Sequence, residues 1–196
     1  MKQGAGPRIN NLKVHLVLTE SGNEKLKTLL PFKCNSKQYS NFGVVKDRHT
    51  YIIFSNGFVN ITGVKDFTEL TEVIPRFCQL FELTRSEIAS DVIVDNISAA
   101  GNFQRRVDLT QLQRIVNQRK TQYSTFFSVH FDRNFFPGAF CKTRGLGTLT
   151  LFPSGKYVVV GSKCLEHVEK IFQQMCVLMP LLSKTGRMKV FAQSAV

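Results

Sequence analysis

Apolar and polar positions change rhythm along the chain in an order that occurs twice. YIIF and FVNITG alternate about Ser-Asn-Gly over residues 51–63, and TLTLF and YVVVG alternate about Pro-Ser-Gly over 148–161. Each reads as a β-hairpin. Phe54, Gly57, Gly63 and Lys65 of FSNGFVNITGVK recur as Phe152, Gly155, Gly161 and Lys163 of FPSGKYVVVGSK, each 98 positions on. A fixed offset over four positions points to duplication. After each hairpin the period lengthens to that of a helix. Phe67, Leu70, Val73, Ile74, Phe77 and Phe81 mark one, and Leu165, Val168, Ile171, Met175, Leu178 and Leu182 the other. Pro75 and Pro180 predict a kink or an early stop.

Upstream of the hairpins, residues 9–18 and 91–100 read as opening strands, with short helices near 23–30 and 108–119. FGVVK and FPGAFCK supply a strand leading into each hairpin. The order of strand, helix, several strands and long helix therefore occurs twice, in pseudo-repeats of about 7–85 and 88–188 with a tail at 189–196. Such a unit packs its long helix on one face of an antiparallel sheet and leaves the other bare. The fold class expected is α+β: one domain in which two pseudo-repeats share a curved antiparallel sheet of about ten strands. Two long helices, near 66–82 and 164–182, back it. Alternation sets Phe54 and Ile52 on the face opposite Ile53, and Phe152 and Thr150 opposite Leu151, so both phenylalanines belong to the bare face.

Composition narrows the role of that face. With 196 residues, 43% hydrophobic and 20% charged, the chain can bury a substantial core. No apolar run is long enough to span a bilayer, and MKQGAGPRINN lacks the apolar stretch of a signal peptide, which predicts a soluble, intracellular protein. Cys34, Cys78, Cys141, Cys164 and Cys176 form no CxxC pair, so reduced thiols are expected rather than disulfides or a zinc ribbon. The net charge is +12, and it is lopsided. Residues 1–98 carry 12 Lys/Arg against 10 Asp/Glu, while 99–196 carry 14 against 4. A polyanionic partner, nucleic acid or an acidic membrane surface, is implied, gripped harder by the second half.

Catalysis finds no support. His15, His49, His130 and His167 lack metal-ligand spacing, GLGTLTLFPSGK lacks the first glycine of a phosphate-binding loop, and no acid pair stands out. Neither an enzyme, a cofactor, a metal nor a small-molecule substrate is expected.

FFPGAFCK followed by TLTLFPSGKYVVVGSK resembles the second-repeat signature of the TATA-box-binding protein (TBP) family core domain. The likeness lies in the turn of Phe136, Pro137 and Gly138, the F-x-S-G-K hairpin and the following G-x-K. It extends over roughly residues 7–188. The resemblance implies a saddle that binds and kinks A/T-rich promoter DNA through the minor groove, as a transcription initiation factor acting in the nucleus. It implies that Phe42, Phe54, Phe136 and Phe152 wedge between base steps, and that Asn11 and Asn96 hydrogen-bond acceptors at the centre of the site. Lys65, Lys142, Lys156 and Lys163 match phosphate-contacting positions. A·T and T·A edges offer only acceptors in the minor groove, which suits asparagine amides. Unstacking a step costs a few kcal/mol, repaid by the larger contact with bent DNA, a magnitude for which TBP is itself the standard example.

Departures from the family pattern set further expectations. Phe58 stands where the second hairpin has Lys156. Lys13 and Ser98 replace valines that follow the central asparagines, and Thr62 is kept while Val160 replaces its partner. Ser98 is smaller than valine and its oxygen can accept from guanine's amino group, so a relaxed, A/T-biased preference with one half-site more tolerant of G·C is expected. In the stirrup that docks transcription factor IIB in the family, FDRNFF places Asp132, Asn134 and Phe135, which departs from the family's docking residues; the partner that the resemblance implies is a transcription factor IIB-like protein or polymerase subunit. KDRHTY is read as a shortened first-repeat stirrup, and the helix at 66–82 lacks the family's basic character. A short, diverged chain of this kind suits a paralogue or a protein of a large DNA virus. The alternative is a scaffold that keeps the saddle, has lost DNA, and uses the bare face for protein.

Overall fold

The computed structural model describes residues 6–33, 42–118 and 125–182. Each repeat opens with a long strand and a helix: β1 (Arg8–Val17) and α1 (Glu20–Lys33), then β5 (Ile93–Asn102) and α3 (Leu109–Gln118). The first repeat continues with β2 (Phe42–Lys46), β3 (Thr50–Phe54), β4 (Phe58–Val64) and α2 (Leu70–Phe81). The second continues with β6 (Phe126–His130), β7 (Ala139–Thr143), β8 (Thr148–Leu151), β9 (Lys156–Ser162) and α4 (Leu165–Leu178).

The strands form one antiparallel sheet in the order β2-β3-β4-β1-β5-β9-β8-β7-β6. It is pseudo-symmetric about the β1–β5 junction, where Asn11 lies opposite Ser98 and Lys13 opposite Asn96. Nine strands are present among the described residues, against about ten expected. The counterpart of β6 would fall within 34–41, outside the described residues, as does the expected tail at 189–196.

Burial follows the alternation. Leu12, Val14 and Leu16 of β1, Tyr51 and Ile53 of β3, Val59 and Ile61 of β4, and Leu149 and Leu151 of β8 are sealed under the helices. The residues between them face away. The α2 side closes over an aromatic knot: the rings of Phe77 and Phe81 pack at a tilt with centroids 4.8 Å apart, and Tyr51 meets them at 5.6 and 5.9 Å. Truncating one such ring to alanine costs about 3–5 kcal/mol. Val168, Ile171 and Met175 do the same service for α4.

Three expectations change. α2 starts at Leu70 rather than 66 and runs through Pro75 to Phe81 without stopping. Pro75 and Thr71 are both exposed, so water can take the Thr71 carbonyl that proline leaves unbonded. α4 ends at Leu178 and passes into a 3-10 turn, Met179–Leu181, where Pro180 cannot supply the next helical N–H. KDRHTY is not a stirrup. It is the turn between β2 and β3, equivalent to the β7–β8 turn, at the end of the hairpin away from the phenylalanines.

Candidate nucleic-acid interface

On the bare face, each central asparagine is tied to a glycine of its own repeat. The Gly63 amide donates to Asn11 Oδ1 at 2.9 Å, and the Gly161 amide donates to Asn96 Oδ1. Both glycines hold positive φ, 92° and 85°, a conformation that costs a side-chain-bearing residue about 1–2 kcal/mol. That turn lifts each N–H out of the sheet ladder and aims it at the asparagine. Because an amide N–H can only donate, it fixes the side chain's orientation: oxygen inward, nitrogen free to donate outward. The two halves then differ. Asn96 Nδ2 donates to Ser98 Oγ at 3.3 Å, whereas Asn11 has Lys13 where Asn96 has Ser98.

The aromatic pairs flank this centre. Phe42 and Phe54 are direct cross-strand partners in β2 and β3. In the second repeat Phe152 lies next to Phe136, ring centroids 5.8 Å apart, and Phe136 stacks on Phe140 at 4.9 Å. Gly138 makes room for them: a Cβ there would come within 2.9 Å of the Phe136 ring and 3.1 Å of the Phe152 ring. The register refines the repeat correspondence. Lys46 pairs with Thr50 as Lys142 pairs with Thr148, so Phe42 occupies the place of Gly138 rather than that of Phe136. Both repeats bring a phenylalanine beside the hairpin's own, one from directly across and one from two residues earlier.

The lysines are spread over both ends of the hairpins. Lys142 and Lys156 are exposed, and Lys65 and Lys163 are exposed just beyond the ends of β4 and β9. The Lys65 backbone amide donates to Glu69 Oε2 at 2.9 Å. That bond, with the Arg48 guanidinium, holds the Glu69 carboxyl below its usual range. Thr62 sits opposite Thr50 on the first-repeat side, and Val160 is 40% exposed opposite Thr148 on the second. Pro137 is exposed at the entry to β7. Beyond it, Asp132 Oδ1 accepts the Asn134 amide at 2.9 Å, closing a turn that projects Phe135 into solvent at 89% exposure.

Sequence reasoning passed over four residues on or beside this face. Phe140 shares its side of β7 with Lys142, which the period-two pattern could have revealed. Arg106, with Lys156, lines a hollow beside Phe152. His15 and Asp95 pair across the β1–β5 junction, 80 positions apart in sequence, with no local signal. Among the described residues no three His, Cys, Asp or Glu side chains converge as metal ligands, and no helix is long and apolar enough to cross a membrane.

A duplicated, helix-backed saddle with a matched asparagine on each half of its bare face defines a TBP-type core domain. The family model described as "Transcription factor TFIID (or TATA-binding protein, TBP)" matches residues 91–182, so the second half carries a domain of that family. The fold of the whole chain is similar to that of Methanococcus jannaschii TBP, with a TM-score of 0.67 at 16% identity over 90% of this chain and 99% of that one. Among curated proteins no sequence match is found. The family is one of DNA-binding transcription factors, not of enzymes.

Proposed function

We propose that this protein is a transcription initiation factor that binds duplex DNA across the bare face of the saddle, through the minor groove of an A/T-rich site, and kinks it. The observation that carries this reading is the pair of asparagine–glycine bonds. Each presents an amide nitrogen, a donor, at the centre of a face where A·T edges would present only acceptors. The cross-strand pairing of Phe42 with Phe54 and the adjacent rings of Phe136 and Phe152 support wedging into base steps, and the exposed lysines support neutralisation of phosphate. Preference is A/T-biased and relaxed, because Lys13 and Ser98 break the symmetry of the centre. Phe135, projected from the β6–β7 loop, gives a transcription factor IIB-like or polymerase partner an apolar anchor. Gel shift with an A/T-rich duplex at low and moderate salt tests the reading. A discrete, salt-sensitive complex supports it, and the absence of any complex at low salt leaves the scaffold reading, in which the bare face binds protein.

A further inference from the structure

The two halves of the bare face differ most at one constellation. His15 stacks on Phe58 with centroids 4.6 Å apart, and Phe58 in turn meets Phe54 at 6.1 Å. His15 Nδ1 lies 2.8 Å from Asp95 Oδ1, a contact made from the opposite repeat. At the equivalent positions of the second half stand Ala100 and Lys156, reached by the offsets that relate Asn11 to Asn96 and Phe54 to Phe152. An imidazole paired with a carboxylate thus lies between the centre and the first-repeat phenylalanines, and among the described residues no such pair stands at the equivalent place on the other side.

The pairing decides what the ring offers to a ligand. A carboxylate only accepts, so Nδ1 must carry the hydrogen, and in a neutral imidazole Nε2 is then a lone-pair acceptor. Nε2 has no hydrogen-bond partner among the described residues and is not sealed from solvent. An acceptor on this face is mismatched to A·T and T·A, whose minor-groove edges are acceptors too. It matches only the exocyclic amino group of guanine. The Phe58 ring holds the imidazole in place from the side, so the acceptor does not have to be ordered on binding.

Resting on the DNA-binding reading above, we propose that His15 is a specificity-determining residue that accepts a hydrogen bond from the guanine amino group at one step of the first-repeat half-site. Asp95 is the positioning residue that fixes its tautomer. The preferred site is A/T-rich but carries one favoured G·C pair between its centre and the first-repeat kink.

The test is a scan of an A/T-rich duplex in which each step in turn is changed to G·C or to inosine·cytosine, which keeps the pair but lacks the minor-groove amino group. At one step, G·C should bind roughly five- to tenfold tighter than inosine·cytosine, the discrimination of one good base contact. At the mirror step, contacted by the Ala100 side, G·C should be the weaker of the two. His15→Ala should abolish the preference. Asp95→Asn, isosteric and free to let Nε2 carry the hydrogen instead, should do the same while leaving the melting temperature within a few degrees. Inosine·cytosine binding tighter than G·C at every step overturns the proposal, as does a G·C preference that survives His15→Ala. A loss of A·T affinity on His15→Ala also overturns it, because the ring would then be donating. If no duplex binds at all, the DNA-binding reading fails and takes this inference with it.

Discussion

The backbone amide of Gly63 donates to Asn11 Oδ1 at 2.9 Å, and in doing so turns the Asn11 amide nitrogen into an unshared donor on the bare face. The Gly161 amide orients Asn96 in the same way, and there one hydrogen of the amide nitrogen goes to Ser98 Oγ at 3.3 Å, leaving the other for a ligand. Aspartate at either position would keep the acceptor for glycine but replace the outward donor with a second oxygen. Asn11→Asp and Asn96→Asp are each expected to weaken DNA binding by one to two orders of magnitude, about 1–3 kcal/mol, with a much smaller change in thermal stability. Fluorescence anisotropy beside thermal melting checks this. Unchanged affinity in both variants would remove the asparagines from the reading surface.

Kinking at the second-repeat end depends on Phe136 and Phe152, whose rings lie together over Gly138. The double variant Phe136→Ala/Phe152→Ala should lose the bend at that end and bind more weakly, because the wider contact that bending permits is forfeited. Energy transfer between dyes at the duplex ends reads the bend directly. A double variant that bends DNA as the parent does would rule out these rings as wedges.

Gly138→Ala addresses the same end without deleting a ring. The new Cβ would stand 2.9 Å from the Phe136 ring and 3.1 Å from the Phe152 ring, so at least one must move. Overpacking of this kind costs about 1–3 kcal/mol. The measurements are chemical denaturation for stability and the same energy-transfer assay for the bend, and both are expected to fall.

Salt dependence reports the cations. Lys156→Ala removes a lysine beside Phe152, and the slope of log affinity against log salt should become shallower by about 0.9 if that lysine neutralises one phosphate. Phe58 occupies the equivalent first-repeat position, so Phe58→Ala should leave the slope unchanged. Equal slopes for parent and Lys156→Ala would place this lysine off the DNA.

Acid sensitivity follows from Glu69. The Lys65 amide first, and then the Arg48 guanidinium, depress its pKa in the folded chain. A depressed carboxylate contributes stability that is complete above the ordinary glutamate range and is lost as pH falls through the folded value. Melting temperature should therefore drop more for the parent than for Glu69→Gln between pH 6 and about pH 3. Parallel curves would show that this carboxylate adds no pH-dependent stability.

The sequence by itself determined the duplication, the order of elements and the sidedness of the sheet. These are encoded in local signals: alternation about a glycine turn, a helical period after it, and the fixed offset from Phe54 to Phe152 and from Gly63 to Gly161. Asn11 and Asn96 came from the resemblance of the sequence to the TBP family. Only the tertiary structure decided how these groups are oriented and which meet. Phe42 and Phe136, each the first phenylalanine of its pair along the chain, do not share a place: the strand register sets Phe42 at the place of Gly138, because hydrogen-bonded pairing rather than residue order fixes position in a sheet. KDRHTY became a β2–β3 turn for the same reason. The outward donors of the asparagines depend on glycines 52 and 65 positions away, and the His15–Asp95 pair joins residues 80 apart across the repeat junction. Contacts of such separation carry no periodicity in the chain. They arise when the two repeats close into one sheet.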